Sequence, residues 1–151
     1  MLSTIMKALA ALLVSALVII APLSAASKPA EPLRISQGET VQLTDYLVPG
    51  KTVIFDFTSK YCPPCRFYDE PLHKLHTGRD DIVVVKVDIN RPGVQRIDWQ
   101  SPVAEQFKLQ SIPQFKVYGP DGKLLAEDRI SREARDPAAR KLVDGWIAQL
   151  K

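Results

Sequence analysis

Thr52-Val53-Ile54-Phe55-Asp56-Phe57-Thr58-Ser59-Lys60-Tyr61-Cys62-Pro63-Pro64-Cys65 changes character along its length. Residues 52–57 are an almost unbroken apolar run, the pattern of a strand buried on both faces. From Cys65 onward, Cys65, Tyr68, Leu72 and Leu75 are spaced three, four and three apart, a helical stripe that Thr77-Gly78 ends. The only two cysteines of the 151-residue chain therefore stand where a strand gives way to a helix. A thiol pair so placed is suited to disulfide exchange. The spacing alone also serves zinc sites, so the surrounding residues must separate the two readings.

Working outward, Thr40-Val41-Gln42-Leu43 alternates like a short strand, Asp45–Leu47 suits a helical turn, and Pro49-Gly50 is a turn. Ile82–Asp88 is β-branched and reads as a central strand. After the Arg91-Pro92-Gly93 turn, Ser101-Pro102 supplies an N-cap and first-turn proline for a short helix through about Phe107. Gln114–Tyr118 and Lys123–Glu127 form a hairpin around Gly119-Pro120-Asp121-Gly122. Asp136-Pro137 caps a last helix whose Leu142, Val143, Trp146, Ile147 and Leu150 share one face. The order β, β, α, β, α, β, β, α predicts an α/β sandwich with a mixed central sheet.

The hydrophobic share of 46% and charged share of 25% suit one soluble domain. Met1–Lys7 carries one positive charge, residues 8–20 are apolar or small, Pro22 breaks the run, and Ser24-Ala25-Ala26 offers a cleavage site. Residues 1–26 read as a secretory signal peptide. The alternative is an uncleaved anchor, since no charge lies between Lys7 and Lys28. No cysteine near residues 20–28 could carry a lipid. Either reading places the folded part in a periplasm, free or anchored to the inner membrane, where disulfides are permitted. Residues 27–39 read as a polar linker and 40–151 as the folded domain. Without residues 1–26 the chain has 19 basic and 17 acidic residues. That balance points to neither nucleic acid nor an anionic membrane surface.

This element order, with the cysteine pair at a strand–helix junction, resembles the thioredoxin family. Asp56 stands six residues before Cys62, where the family often carries a buried acid. Tyr61 holds the family's aromatic position, Ser111-Ile112-Pro113 that of its cis-proline, and Gly119–Lys123 that of its hairpin turn. The resemblance covers roughly residues 40–151 and implies a three-layer sandwich. The chain departs from the family in having Tyr61 where tryptophan is common, in Pro71 lying six rather than five residues after Cys65, and in a longer Arg91–Ser101 stretch that contains Trp99.

A cysteine at a helix N-terminus faces unpaired amides and the positive end of the dipole, which favour thiolate and make Cys62 the expected nucleophile. Pro63 and Pro64 fit the first helical positions but remove two amide donors, leaving that of Cys65 nearest. No histidine lies between the cysteines, which leans against a strong oxidant. Cys65, on the buried helical face, is the expected resolving thiol, and Asp56 its proton acceptor, with a pKa raised by burial. A solvated Asp56 at the strand end is the competing reading. Lys86 interrupts an apolar strand. The resemblance suggests Asp56 as its partner, and an outward, solvated lysine is the alternative. The resemblance further implies a cis Ile112–Pro113 bond, with Ile112 pairing to an extended substrate and Tyr61 beside it; the alternative is an ordinary trans proline. His73 and His76 superficially complete a two-cysteine, two-histidine pattern. On a helix about 20 Å long, however, Cys62 and His76 fall near opposite ends, which leaves two helix histidines, one near the core edge and one exposed. Trp99 is either a loop anchor or part of a partner surface.

The expectation is a periplasmic thiol–disulfide oxidoreductase acting on protein disulfides, more reductase than oxidase. It would need no bound cofactor or metal and would receive electrons from a membrane or periplasmic partner. The alternative is a binding module whose cysteine pair holds copper or a static disulfide.

Overall fold

The computed structural model describes residues 27–150, so the leader read at residues 1–26 lies outside the described residues. Six strands lie in the order β1-β3-β2-β4-β5-β6. They are β1 (Leu33–Ile35), β2 (Thr52–Thr58), β3 (Ile82–Asp88), β4 (Gln114–Tyr118), β5 (Leu124–Ile130) and β6 (Arg135–Pro137). The β1–β3 and β3–β2 pairs are parallel, and β2–β4, β4–β5 and β5–β6 are antiparallel. The helices are α1 (Pro63–Gly78), α2 (Pro102–Gln106) and α3 (Ala138–Ile147), with a 3-10 turn at Leu43–Tyr46.

Alternation along the strands builds two cores. Val53, Phe55, Phe57, Val83, Val85 and Val87 face the α2 side with Val103 and Ala104. Ile54, Ile82, Val84, Phe115 and Val117 face Leu72 and Leu75 of α1 and Ala139 and Val143 of α3. Because both faces of β2 and β3 are covered, those strands read as continuous apolar runs rather than alternating ones. Burying Leu72 and Leu75 completely contributes roughly 2 kcal/mol each.

Three local expectations are corrected. Residues 40–43 form no strand, Leu43 opening the 3-10 turn; the first strand is β1, at one edge of the sheet and inside the stretch read as linker, where Ile35 is buried against the core. Asp136 does not cap α3, whose start carries no side-chain cap from its own segment. Buried Asp128 of β5 supplies that acceptor across the sheet: its Oδ1 receives the Arg140 N–H at 2.8 Å and its Oδ2 that of Phe115 at 2.9 Å. Asp136 instead belongs to β6, an addition to the expected hairpin. The α2 expectation matches the structure, since Ser101 Oγ accepts the Ala104 N–H at 3.3 Å with Pro102 in the first turn.

Candidate active site

The buried β2 ends at Thr58, and Ser59-Lys60-Tyr61 turns the chain into Cys62, the extended N-cap residue of α1. Pro63 and Pro64 fill the first two helical positions, so the first backbone donor belongs to Cys65. That N–H is shared between Cys62 O at 3.1 Å and Cys62 Sγ at 3.2 Å. The sulfur thus occupies the place of a capping oxygen, at the positive end of a sixteen-residue helix. Cys62 and Cys65 are joined as a disulfide. Cys62, the expected nucleophile, and Cys65, the expected buried resolver, are not distinguished by exposure in this state: each is 1% exposed. Both cysteines belong to the α2-side core, and the Ile112 carbonyl oxygen lies 3.7 Å from Cys62 Sγ.

The Ile112–Pro113 bond is cis. The Pro113 carbonyl accepts from the Arg140 guanidinium, so the turn beside the disulfide is tied to α3. Tyr61 is half-buried, its N–H donating to Ser59 Oγ at 3.1 Å, and Lys60 Nζ lies 5.0 Å from its ring centroid.

Asp56 is 1% exposed, and neither carboxyl oxygen has a hydrogen-bond partner among the described residues. Burial is the main cause that pushes its pKa up from 3.8 to about 7, and nearby Lys86 opposes that rise. The solvated alternative is thereby excluded. Lys86 pairs neither with Asp56 nor with solvent. It is 9% exposed and its ammonium meets Asp69 of α1, which corrects both sequence readings. Lys86 and Asp56 are register partners on adjacent parallel strands, so both face the helix layer. There the half-exposed Asp69 offers a carboxylate at lower desolvation cost than one inside the core.

The histidines split as expected in kind and further than expected in degree. His73 is partly exposed beside Glu31 at 2.8 Å, whereas His76 is fully buried. His76 Nδ1 accepts the Val84 N–H at 3.0 Å and its Nε2 lies 2.9 Å from Pro29 O, a geometry that requires the neutral Nε2–H tautomer. Burial lowers its pKa to match. Among the described residues no cluster of three or more His, Cys, Asp or Glu side chains is arranged to hold a metal.

Trp99 is 40% exposed, a wall rather than an anchor. The 91–101 loop is held instead by residues that sequence reading passed over. Arg91 clasps Asp98 through two bonds of 2.7 and 3.0 Å. Buried Asn90 donates to Val94 O at 3.2 Å and Arg96 O at 2.6 Å, and its Oδ1 accepts from Ser59 Oγ at 2.6 Å. An asparagine between a strand and a Pro-Gly turn was the available signal.

The thioredoxin family profile matches residues 40–136. Thioredoxin H5 of Arabidopsis thaliana is 30% identical over 93 residues, covering 62% of this chain and 70% of that protein. Thioredoxin H2-2 of Oryza sativa subsp. japonica is 38% identical over 95 residues, 62% of each chain. Among solved structures, a point mutant of the thioredoxin from Halobacterium salinarum NRC-1 superposes with a TM-score of 0.53 at 21% identity, covering 83% of this chain and 96% of that one.

Proposed function

The chain belongs to the thioredoxin family, whose members are thiol–disulfide oxidoreductases, and on that premise we propose that Cys62 opens and Cys65 closes an exchange cycle on protein disulfides, run in the reducing direction. The observation that carries the reading is the place of the Cys62 sulfur, at the N-cap of α1 within reach of the Cys65 amide. There the dipole and the amide favour a thiolate in the reduced state. That thiolate attacks one sulfur of a substrate disulfide. The substrate S–S bond breaks, a Cys62–substrate bond forms, and the other substrate sulfur leaves as a thiolate that takes up a proton. Cys65 then passes its proton to Asp56 and attacks Cys62 Sγ. The second substrate thiol departs, the Cys62–Cys65 bridge forms, and two electrons have passed to the substrate. A carboxyl whose pKa lies near 7 both accepts and returns a proton at neutral pH. Tyr61 and Ile112-Pro113 border the attacking sulfur and would contact the substrate chain.

The reducing direction is supported by the Pro63-Pro64 pair. It withholds two amides from the thiolate, and a less stabilised thiolate makes a less oxidising pair. The residue pattern of positions 1–26 supports export to the periplasm, where a membrane or periplasmic protein would return the bridge to the dithiol. N-terminal sequencing of the periplasmic fraction should find a chain starting at Ser27; a chain starting at Met1 in the inner membrane would mean an anchor. The decisive test of the exchange cycle is Cys65→Ser, which should accumulate a mixed disulfide through Cys62. Only unlinked monomer under oxidising conditions would contradict it. A reduction potential of about −270 mV fits a reductant, whereas one of about −120 mV would reverse the direction.

A further inference from the structure

Next to Tyr61 the surface opens into a groove of about 630 Å³ whose apolar lining comes from Tyr61, Ile97 and Trp99. Its two walls hang from one buried pair. Ser59 Oγ receives the Tyr61 N–H on one side and bonds Asn90 on the other, and Asn90 holds the carbonyls of Val94 and Arg96. The groove is therefore indexed to the residue that precedes Cys62, so a chain lying in it would run up to the reacting sulfur.

The charges around it are one-sided. Asp98, the acid in the lining, is engaged by Arg91, and Asp88 of the adjoining groove is engaged by Arg34. Lys60, over the Tyr61 ring, and Arg96, in the groove itself, are exposed and have no carboxylate within ion-pair reach among the described residues. Arg96 in the groove and Lys60 beside its Tyr61 end are two uncompensated cations next to the apolar groups of Tyr61, Ile97 and Trp99, an arrangement that complements an acidic chain also carrying an apolar side chain.

We infer that this groove selects the substrate: it takes disulfides whose flanking chain carries Asp or Glu beside an apolar residue, with Arg96 and Lys60 meeting the acid and Trp99 the apolar group. The inference rests on the exchange cycle above and adds the substrate class. Two disulfide-cyclised peptides with the same apolar core, one flanked by Glu and one by Lys, test it. Both are reduced by the pre-reduced protein, and 2-hydroxyethyl disulfide serves as an uncharged probe of the chemistry. The Glu peptide should react with a second-order rate constant about three- to tenfold higher, the scale of two exposed charge contacts. The preference should shrink as salt rises toward about 0.5 M. The double variant Lys60→Glu, Arg96→Glu should reverse the order of the two peptides. Equal second-order rate constants for the two peptides, or an order unchanged in the variant, overturns the groove assignment while leaving the exchange cycle standing. No reduction of any of the three disulfides overturns both.

Discussion

Asp56 puts a proton in the core, and stability should register it. In the unfolded chain this carboxyl ionises near 3.8, and in the folded protein near 7. Between those values the unfolded state releases the proton while the folded state keeps it, so ionisation favours unfolding as pH rises. The effect is absent below about pH 4, grows through the interval, and is complete once the folded carboxyl is itself ionised. At ~1.4 kcal/mol per pH unit the interval comes to about 4 kcal/mol. Asp56→Asn keeps the shape and removes the titration. Urea unfolding of both proteins at pH 4, 5, 6, 7 and 8, with the Cys62–Cys65 bridge intact so that neither sulfur titrates, isolates the term. The two should agree within about 1 kcal/mol at pH 4, and the variant should be about 4 kcal/mol more stable at pH 8. A difference that stays constant across the series, or one that falls with pH, would refute a buried Asp56 with a raised pKa.

Other changes probe the surroundings of the same chemistry. Lys86→Met removes the cation that favours ionised Asp56, so the Asp56 pKa should rise above about 7, read by carboxyl infrared titration; an unmoved midpoint would show that Lys86 and Asp56 are not coupled. Asn90→Ala frees two loop carbonyls and should cost roughly 2–3 kcal/mol in urea unfolding. It should also speed amide exchange over residues 94–98, and unchanged exchange there would contradict the anchoring role. Asp128→Ala leaves the Phe115 and Arg140 amides without their acceptor, and a loss of about 3 kcal/mol is expected by the same measure. In stopped-flow kinetics, Asp56→Asn should slow resolution of the mixed disulfide more than the first attack, and equal slowing of both steps would count against a proton-acceptor role.

What could be read from the residues was what repeats along the chain. The apolar run at 52–57, the three-four-three stripe beginning at Cys65 and the β-branched run at 82–88 reflect burial on known faces. Their elements match the structure to within a residue or two. The cysteine pair was reachable from its place at the strand–helix junction and buried Asp56 from its place inside the apolar run, together with the family resemblance; the cis bond was implied by the resemblance alone. Readings that depended on distant partners fared worse. Lys86 chose Asp69, seventeen residues earlier and on a helix, because a half-exposed carboxylate is easier to pair than one deep in the core. Asp128 took the capping task assigned to Asp136 because the sheet brings it under the start of α3. His76 was drawn inside by Pro29 and by the edge of β3, contacts no local pattern announces. β1 was hidden because three residues on a sheet edge carry too short an alternation to stand out from a polar neighbourhood.

The contacts of Lys28 set the direction in which the molecule points. Its ammonium bonds the carbonyls of His76 and Arg79, at the far end of α1 from Cys62. Sixteen helical residues at 1.5 Å each put roughly 24 Å between those ends. Ser27 and Lys28, the first described residues, therefore start the described fold on the side away from the disulfide, and the reactive end stands clear of them.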